Sequence, residues 1–136
     1  MKVLLAGGYL APKSFYKSLT RLFPSVEFVG NFSLSFRRNL PPSDIFIGHS
    51  LGCIQAPFCR ASEYILICPP YGNGIFNFLF KEDVDKLEDL IELKNPYIIS
   101  AIFDPFFSPH PRTSKFVLTH WSIKSSSKLI KRWLGI

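Results

Sequence analysis

The stretch "DIFIGHSLGC", Asp44 to Cys53, sets a serine between two glycines directly after an apolar run. Two local structures fit it. In the first, "DIFIG" is a buried strand and Ser50 stands at the tip of a turn tight enough to strain its own backbone. Gly48 and Gly52 then let the strand and the following helix approach without side-chain collision. In the second, a Gly-Ser turn merely caps a helix. Only the first has a chemical consequence. It exposes the hydroxyl above the end of a sheet and puts the Leu51 amide, at a helix start, where a negatively charged oxygen would be stabilised.

On the amino-terminal side of this stretch, "KVLLAG" reads as a strand running into Gly7 and Gly8. In "KSFYKSLTRLF" after it, Phe15, Leu19, Leu22 and Phe23 fall at helical spacing. Pro24 closes that helix, "VEFVG" is a second strand, and "NFSLSFRRNLPPSD" is a connection with no clear period. On the carboxyl side, "LGCIQAPFCRAS" has room for a short helix only, because Pro57 has no amide hydrogen to donate. "EYILIC" is strand four. "KEDVDKLEDLIEL" places Val84, Leu87, Leu90 and Ile91 on one helical face and acids in the first turn, where they complement the helix dipole. "PYIISAIF" and "KFVLT" are strands five and six, and "SIKSSSKLIKRWL" is a final amphipathic helix. Strands that alternate with helices and read as continuous apolar runs belong to a parallel sheet covered on both faces. The expected class is α/β, in one domain spanning 1–136, since no repeat or linker divides the 136 residues.

Composition narrows the function classes. No apolar run approaches the roughly 18 residues of a membrane span, and "MKVLLAGGYL" is too short in apolar content for a signal peptide, so a cytoplasmic, soluble protein is expected. Cys53, Cys59 and Cys68 follow no C-x-x-C spacing and lie in or beside apolar segments, which predicts buried thiols and no metal site. The net charge of +6 gathers in "FRRNL" and in Lys124, Lys128, Lys131 and Arg132 of the tail. With Leu129, Ile130 and Trp133 on the same helix, that tail could make a weak contact with an anionic membrane surface. A solvated face is the plainer reading, and a nucleic-acid partner is not expected.

A serine nucleophile in this setting needs an acid and then a histidine later in the chain. Asp104 follows "IISAIF" directly and His120 follows "FVLT", so both fall at carboxyl ends of parallel strands, the edge where open α/β sheets bind ligands. Each residue also has a plainer reading: Asp104-Pro105 as a turn start, His120 as a loop residue packed on Trp121. His110, between prolines in "SPHPRT", is the rival base. His49 is too close to Ser50 to serve it, and Asp44 precedes its strand and so sits at the opposite sheet edge. A second donor to the developing oxyanion would come from Gly8 or Tyr9 of "AGGYL", a segment that also fits an ordinary Gly-rich turn. Tyr71, Phe76, Phe78 and Phe80 of "PPYGNGIFNFLF", with Phe106, could wall an acyl pocket or simply pack onto the fold.

Taken together, "VLLAGGY", "IFIGHSLG", "FDPFF" and "LTHWS" resemble the oxyanion strand, nucleophile elbow, acid turn and histidine turn of the α/β-hydrolase superfamily, most closely its small lidless serine hydrolases. The resemblance implies a three-layer sandwich without a cap domain, around a mostly parallel six-stranded sheet of order 2-1-3-4-5-6. It implies Ser50 as nucleophile, His120 as base, Asp104 as orienting acid, and Leu51 with Gly8 or Tyr9 as oxyanion donors. The implied reaction is hydrolysis of a small carboxylic ester or thioester through an acyl-enzyme, with no cofactor; the oligomeric state is left open. Two features depart from the pattern: Pro57 shortens the helix after the elbow, and "PFFSPHPRTSKFVLT" is too short and Pro-rich for a helical crossover. An irregular loop must replace that helix, or the last strand sits differently. The alternative function is a hydrolase-like binding module that uses its basic face for an anionic partner.

Overall fold

A computed structural model describes residues 1–136. Six strands, β1 (Val3–Tyr9), β2 (Val26–Asn31), β3 (Ser43–His49), β4 (Ala61–Ile67), β5 (Tyr97–Phe103) and β6 (Lys115–Thr119), form one sheet of order β2-β1-β3-β4-β5-β6. Every neighbouring pair is parallel, including β5 with β6. The helices are α1 (Lys17–Thr20), α2 (Ile75–Leu79), α3 (Lys81–Lys94) and α4 (Ile123–Leu134). The order is the expected one, and the sheet is fully rather than mostly parallel.

Alternation along the strands sorts the core into two layers. Leu4, Phe46, Leu66 and Ile98 face α3 and the segment after Ser50, and Leu87 and Ile91 of α3 fill the space between them. Leu5, Ile47, Ile65 and Ile99 face the other way, against Tyr16 and Leu19 near α1 and Ile123 and Ile130 of α4. Each fully buried aliphatic side chain contributes about 1.5–3 kcal/mol, and both faces of β1, β3 and β4 are lined this way.

Local structure departs from the expected elements at two helices and at the end of β1. The "KSFYKSLT" segment is a 3-10 turn, Lys13–Tyr16, running into the single α-helical turn of α1. Ser50–Phe58 is 3-10 throughout, with Pro57 near its end, so the expected short helix is present but more tightly wound. Gly7 and Gly8 belong to β1, which runs on to Tyr9; the chain leaves the strand at Leu10, whose φ is 66°.

The crossing from β5 to β6 has no helix. Residues 104–114 cover it as an irregular loop, pinned by polar contacts and one aromatic anchor. His110 Nε2 lies 2.8 Å from Glu88 on α3, the Ser114 amide donates to Ile98 C=O, and Phe107 is buried beside Leu87 and Ile91. The connection between β2 and β3 is likewise irregular, and Phe36 and Leu40 anchor it in the same layer. Arg38 ties it to α3 through two hydrogen bonds to Asp83, of 3.1 and 2.7 Å, so one of the two arginines of "FRRNL" serves the fold. Cys53, Cys59 and Cys68 are free and buried. No helix is long and apolar enough to cross a membrane.

Candidate active site

β3 ends at His49, and the chain turns at Ser50 with φ of 57°, a left-handed conformation costly for a residue with a Cβ. Close packing of the backbone enforces it. A Cβ on Gly52 would collide with the carbonyl oxygens of Ala6 and Gly7 on β1, and one on Gly48 would come within 2.8 Å of Cys53 Cα. Both positions therefore require glycine for space, and the turn between them has nowhere else to go. Ser50 is the first residue of the 3-10 segment, so the Leu51 amide is among the first helical amides, which lack a carbonyl partner within the helix.

Asp104 and His120, from the ends of β5 and β6, meet Ser50 at this edge. Ser50 Oγ lies 2.9 Å from His120 Nε2, and His120 Nδ1 lies 2.8 Å from Asp104 Oδ2. The carboxylate can only accept, so the imidazole proton sits on Nδ1 and Nε2 is left to accept from the serine hydroxyl. Asp104 is held in turn: its Oδ1 accepts from the amides of Phe106 at 2.8 Å and Phe107 at 3.1 Å. Burial alone would raise the Asp104 pKa, but the hydrogen bonds from His120 and these two amides outweigh it and hold the carboxyl below its ordinary range. The shortened crossing therefore leaves the acid and histidine in contact. The turn begun by Asp104-Pro105 and the packing of His120 against Trp121, at 5.5 Å between rings, are both present alongside that contact.

The rival residues are occupied elsewhere. His110 is paired with Glu88 through Nε2 and accepts the Arg112 amide at Nδ1. Asp44 is at the start of β3, where its carboxylate accepts the Lys2 amide. His49 is buried and both of its ring nitrogens are taken: Nδ1 is 2.8 Å from Tyr16 Oη and Nε2 2.8 Å from the carbonyl of His120. The Gly8 amide donates to the same Tyr16 hydroxyl at 2.8 Å, so Gly8 is corrected as an oxyanion donor and Tyr9 remains as the candidate from β1.

A cavity of about 400 Å³ opens over Ser50 and His120, and Tyr9 and Leu51 line it too. Phe76 and Phe106 stand in its wall as expected. Tyr71 does not; its ring packs on His110, 4.8 Å away, outside this cavity. Phe78 is exposed and Phe80 packs edge-on against Phe36. In their place stand Leu10, Phe15, Phe107 and Trp121, none of which sequence reasoning placed at the pocket. The available signal was "DPFF": an aspartate that accepts two successive amides turns the chain so that both following phenylalanines flank the histidine, with ring centroids 5.1 and 5.8 Å from it. No lysine, arginine, aspartate or glutamate lines the cavity.

Cys68, Asp104 and His120 also bring three potential metal-ligand atoms within 4.8 Å of one another. Asp104 and His120 are already each other's partners, and burial pushes the Cys68 thiol up to about 12, so the sulfur is held as a thiol beside the pair. No protein-family model and no curated protein sequence matches the chain.

Proposed function

We propose that the protein is a serine hydrolase of the α/β-hydrolase type, which cleaves a carboxylic ester or thioester through an acyl-enzyme. The observation that carries this reading is the hydrogen-bonded series Ser50, His120, Asp104, at 2.9 and 2.8 Å, with the serine on a strained turn at a helix start. In the reaction, Ser50 Oγ attacks the acyl carbon as its proton passes to His120 Nε2. The imidazolium is stabilised by Asp104, already ionised because its pKa is depressed. The amides of Leu51 and Tyr9 take the developing oxyanion. His120 then gives the proton to the departing alcohol or thiol, and water, deprotonated by the same nitrogen, releases the acid and restores the hydroxyl.

The cavity supports an uncharged, apolar acyl group as substrate. Its walls are aromatic and aliphatic, it lacks a fixed charge to fix an ionic group, and its volume suits a short or medium chain or an aromatic acid. A fluorophosphonate probe should label the wild-type protein and not Ser50→Ala. p-Nitrophenyl butyrate should be hydrolysed, with a loss of roughly 10³-fold or more on that substitution. Equal rates from the two proteins would refute the proposal.

A further inference from the structure

We infer that Tyr16 and His49 are positioning residues for the reaction proposed above, forming a buried hydrogen-bond relay that fixes the end of β1 to the backbone of His120. The inference rests on that hydrolase reading for its consequence on rate, but not for the existence of the relay.

The relay runs in one sense only. The His120 carbonyl can only accept, so His49 must present N–H at Nε2, 2.8 Å away. His49 Nδ1 is then an acceptor, and the Tyr16 hydroxyl must donate to it across 2.8 Å. The Tyr16 oxygen is left to accept the Gly8 amide, also at 2.8 Å. Every donor and acceptor along the path has a partner, and no proton can be moved without breaking a link. Both side chains are buried, Tyr16 at 0% and His49 at 2% exposure, so a broken link would leave polar groups with little access to solvent. Burial also keeps His49 neutral down to a pKa of about 4, which preserves its acceptor nitrogen.

What the relay joins gives it a role. At one end is Gly8, whose neighbour Tyr9 carries the candidate oxyanion amide; at the other is the backbone of the base; and between them His49 is bonded covalently to Ser50. Donor strand, nucleophile and base are thus held at one spacing by two side chains: Tyr16, which lies outside the cavity, and His49, which stands at its wall with its ring centroid 5.1 Å from that of His120. Stability alone does not call for this arrangement. Apolar side chains of similar shape could fill the same space, and replacing both partners of a buried hydrogen bond by such groups is often close to neutral.

Tyr16 does not line the cavity, so Tyr16→Phe should lower kcat for p-nitrophenyl butyrate by about 10-fold to 100-fold, the cost of slightly misplaced groups, and leave KM within about twofold. His49→Leu should be at least as slow. His49→Gln, whose amide N–H reaches toward the His120 carbonyl, should recover part of that loss. Tyr16→Phe added to His49→Leu should cost little more, because the link is already broken. The second arm is 15N NMR of the histidine rings. His49 should show the Nε2–H tautomer, and the His120 ring resonances should shift in Tyr16→Phe although Tyr16 does not touch that ring. Wild-type kcat in Tyr16→Phe with unmoved His120 resonances would overturn the relay. A wild-type protein that the fluorophosphonate probe does not label would instead overturn the hydrolase reading; the tautomer of His49 and the response of His120 would still decide the relay.

Discussion

At the end of β3, residues 48 to 52 build the setting of Ser50 within five positions, through two glycines and the backbone of β1; the crossing from β5 to β6 brings Asp104 and His120 to the same edge through 11 irregular residues, 104 to 114. The first is rigid by sterics, since no side chain fits at Gly52. The second is held by Phe107 in the core, His110 on Glu88, Arg112 Nη1 on the Ile91 carbonyl, and Ser100 with Thr113. The missing helix leaves a trace. Phe116 and Leu118 alternate with buried Val117 and so lie on the opposite face from α4, next to Ile102, and all three are more than half exposed. The comparison teaches that a side chain can be fixed by covalent neighbours at one strand end and by dispersed tertiary contacts at another. The two should fail differently.

The largest effect is expected from Asp104→Asn, which separates chemistry from scaffolding within the crossing. The amide oxygen still accepts from Phe106 and Phe107, so the turn survives, but its NH2 group faces His120 Nδ1 and drives the ring proton to Nε2. Ser50 then has no base, and kcat should fall about 10⁴-fold with the urea midpoint little changed. A variant that keeps its rate would mean that His120 is not held through this carboxylate.

Phe107→Ala attacks the scaffold of the same crossing. The side chain is buried between α3 and the sheet, with its ring centroid 5.8 Å from that of His120, and its loss should cost about 3–5 kcal/mol in urea denaturation. Activity should fall with stability, because the loop that carries Asp104 loosens. Activity and stability both retained would show that the polar pins alone hold the loop in register; activity lost with stability intact would assign Phe107 to the cavity wall instead.

The contrast also explains what was readable in the sequence. The strands and the chain order of Ser50, Asp104 and His120 were legible because continuous apolar runs and a five-residue turn obey local rules, whereas the order of the strands in the sheet came only from the resemblance of four short motifs to a known superfamily. The pocket wall was not. Tyr71 and Phe76 are five residues apart in the same segment, yet one packs on His110 and the other lines the cavity, a sorting decided by where the irregular crossing lies. The choice between Gly8 and Tyr9 stayed open for a similar reason: the Gly8 amide is taken by a tyrosine eight residues on, and helical spacing does not show where that hydroxyl points.

Acid should probe the elbow side more than the crossing. Burial lowers the His49 pKa from the ordinary 6.5 to about 4, so between those values the unfolded chain binds a proton that the folded one refuses. Stability should therefore be complete above about pH 6.5 and decline toward pH 4, by at most about 3 kcal/mol from this residue. Asp104, with its lowered pKa, adds a loss only at more acid pH. Urea midpoints at pH 7 and 4.5 should differ clearly in the wild type and much less in His49→Gln. Equal dependence in both would assign the acid response elsewhere.

The smallest effect belongs to the basic helix, which lies outside both regions. α4 docks by Ile123 and Ile130 against the sheet face opposite α3, and Trp133 stacks on Tyr97 with centroids 4.7 Å apart. Lys124, Lys128 and Lys131 are exposed, and none forms an ion pair. Exposed charges contribute about 0–1 kcal/mol each, so changing all three to Gln should leave ester hydrolysis and thermal midpoint nearly unaltered. Binding to vesicles containing phosphatidylserine should weaken, most of all at low salt where screening is least. If hydrolysis of a soluble ester fell with the fold intact, the field of α4 would be acting on the site, and the division between a chemical edge and a merely covering helix would have to be redrawn.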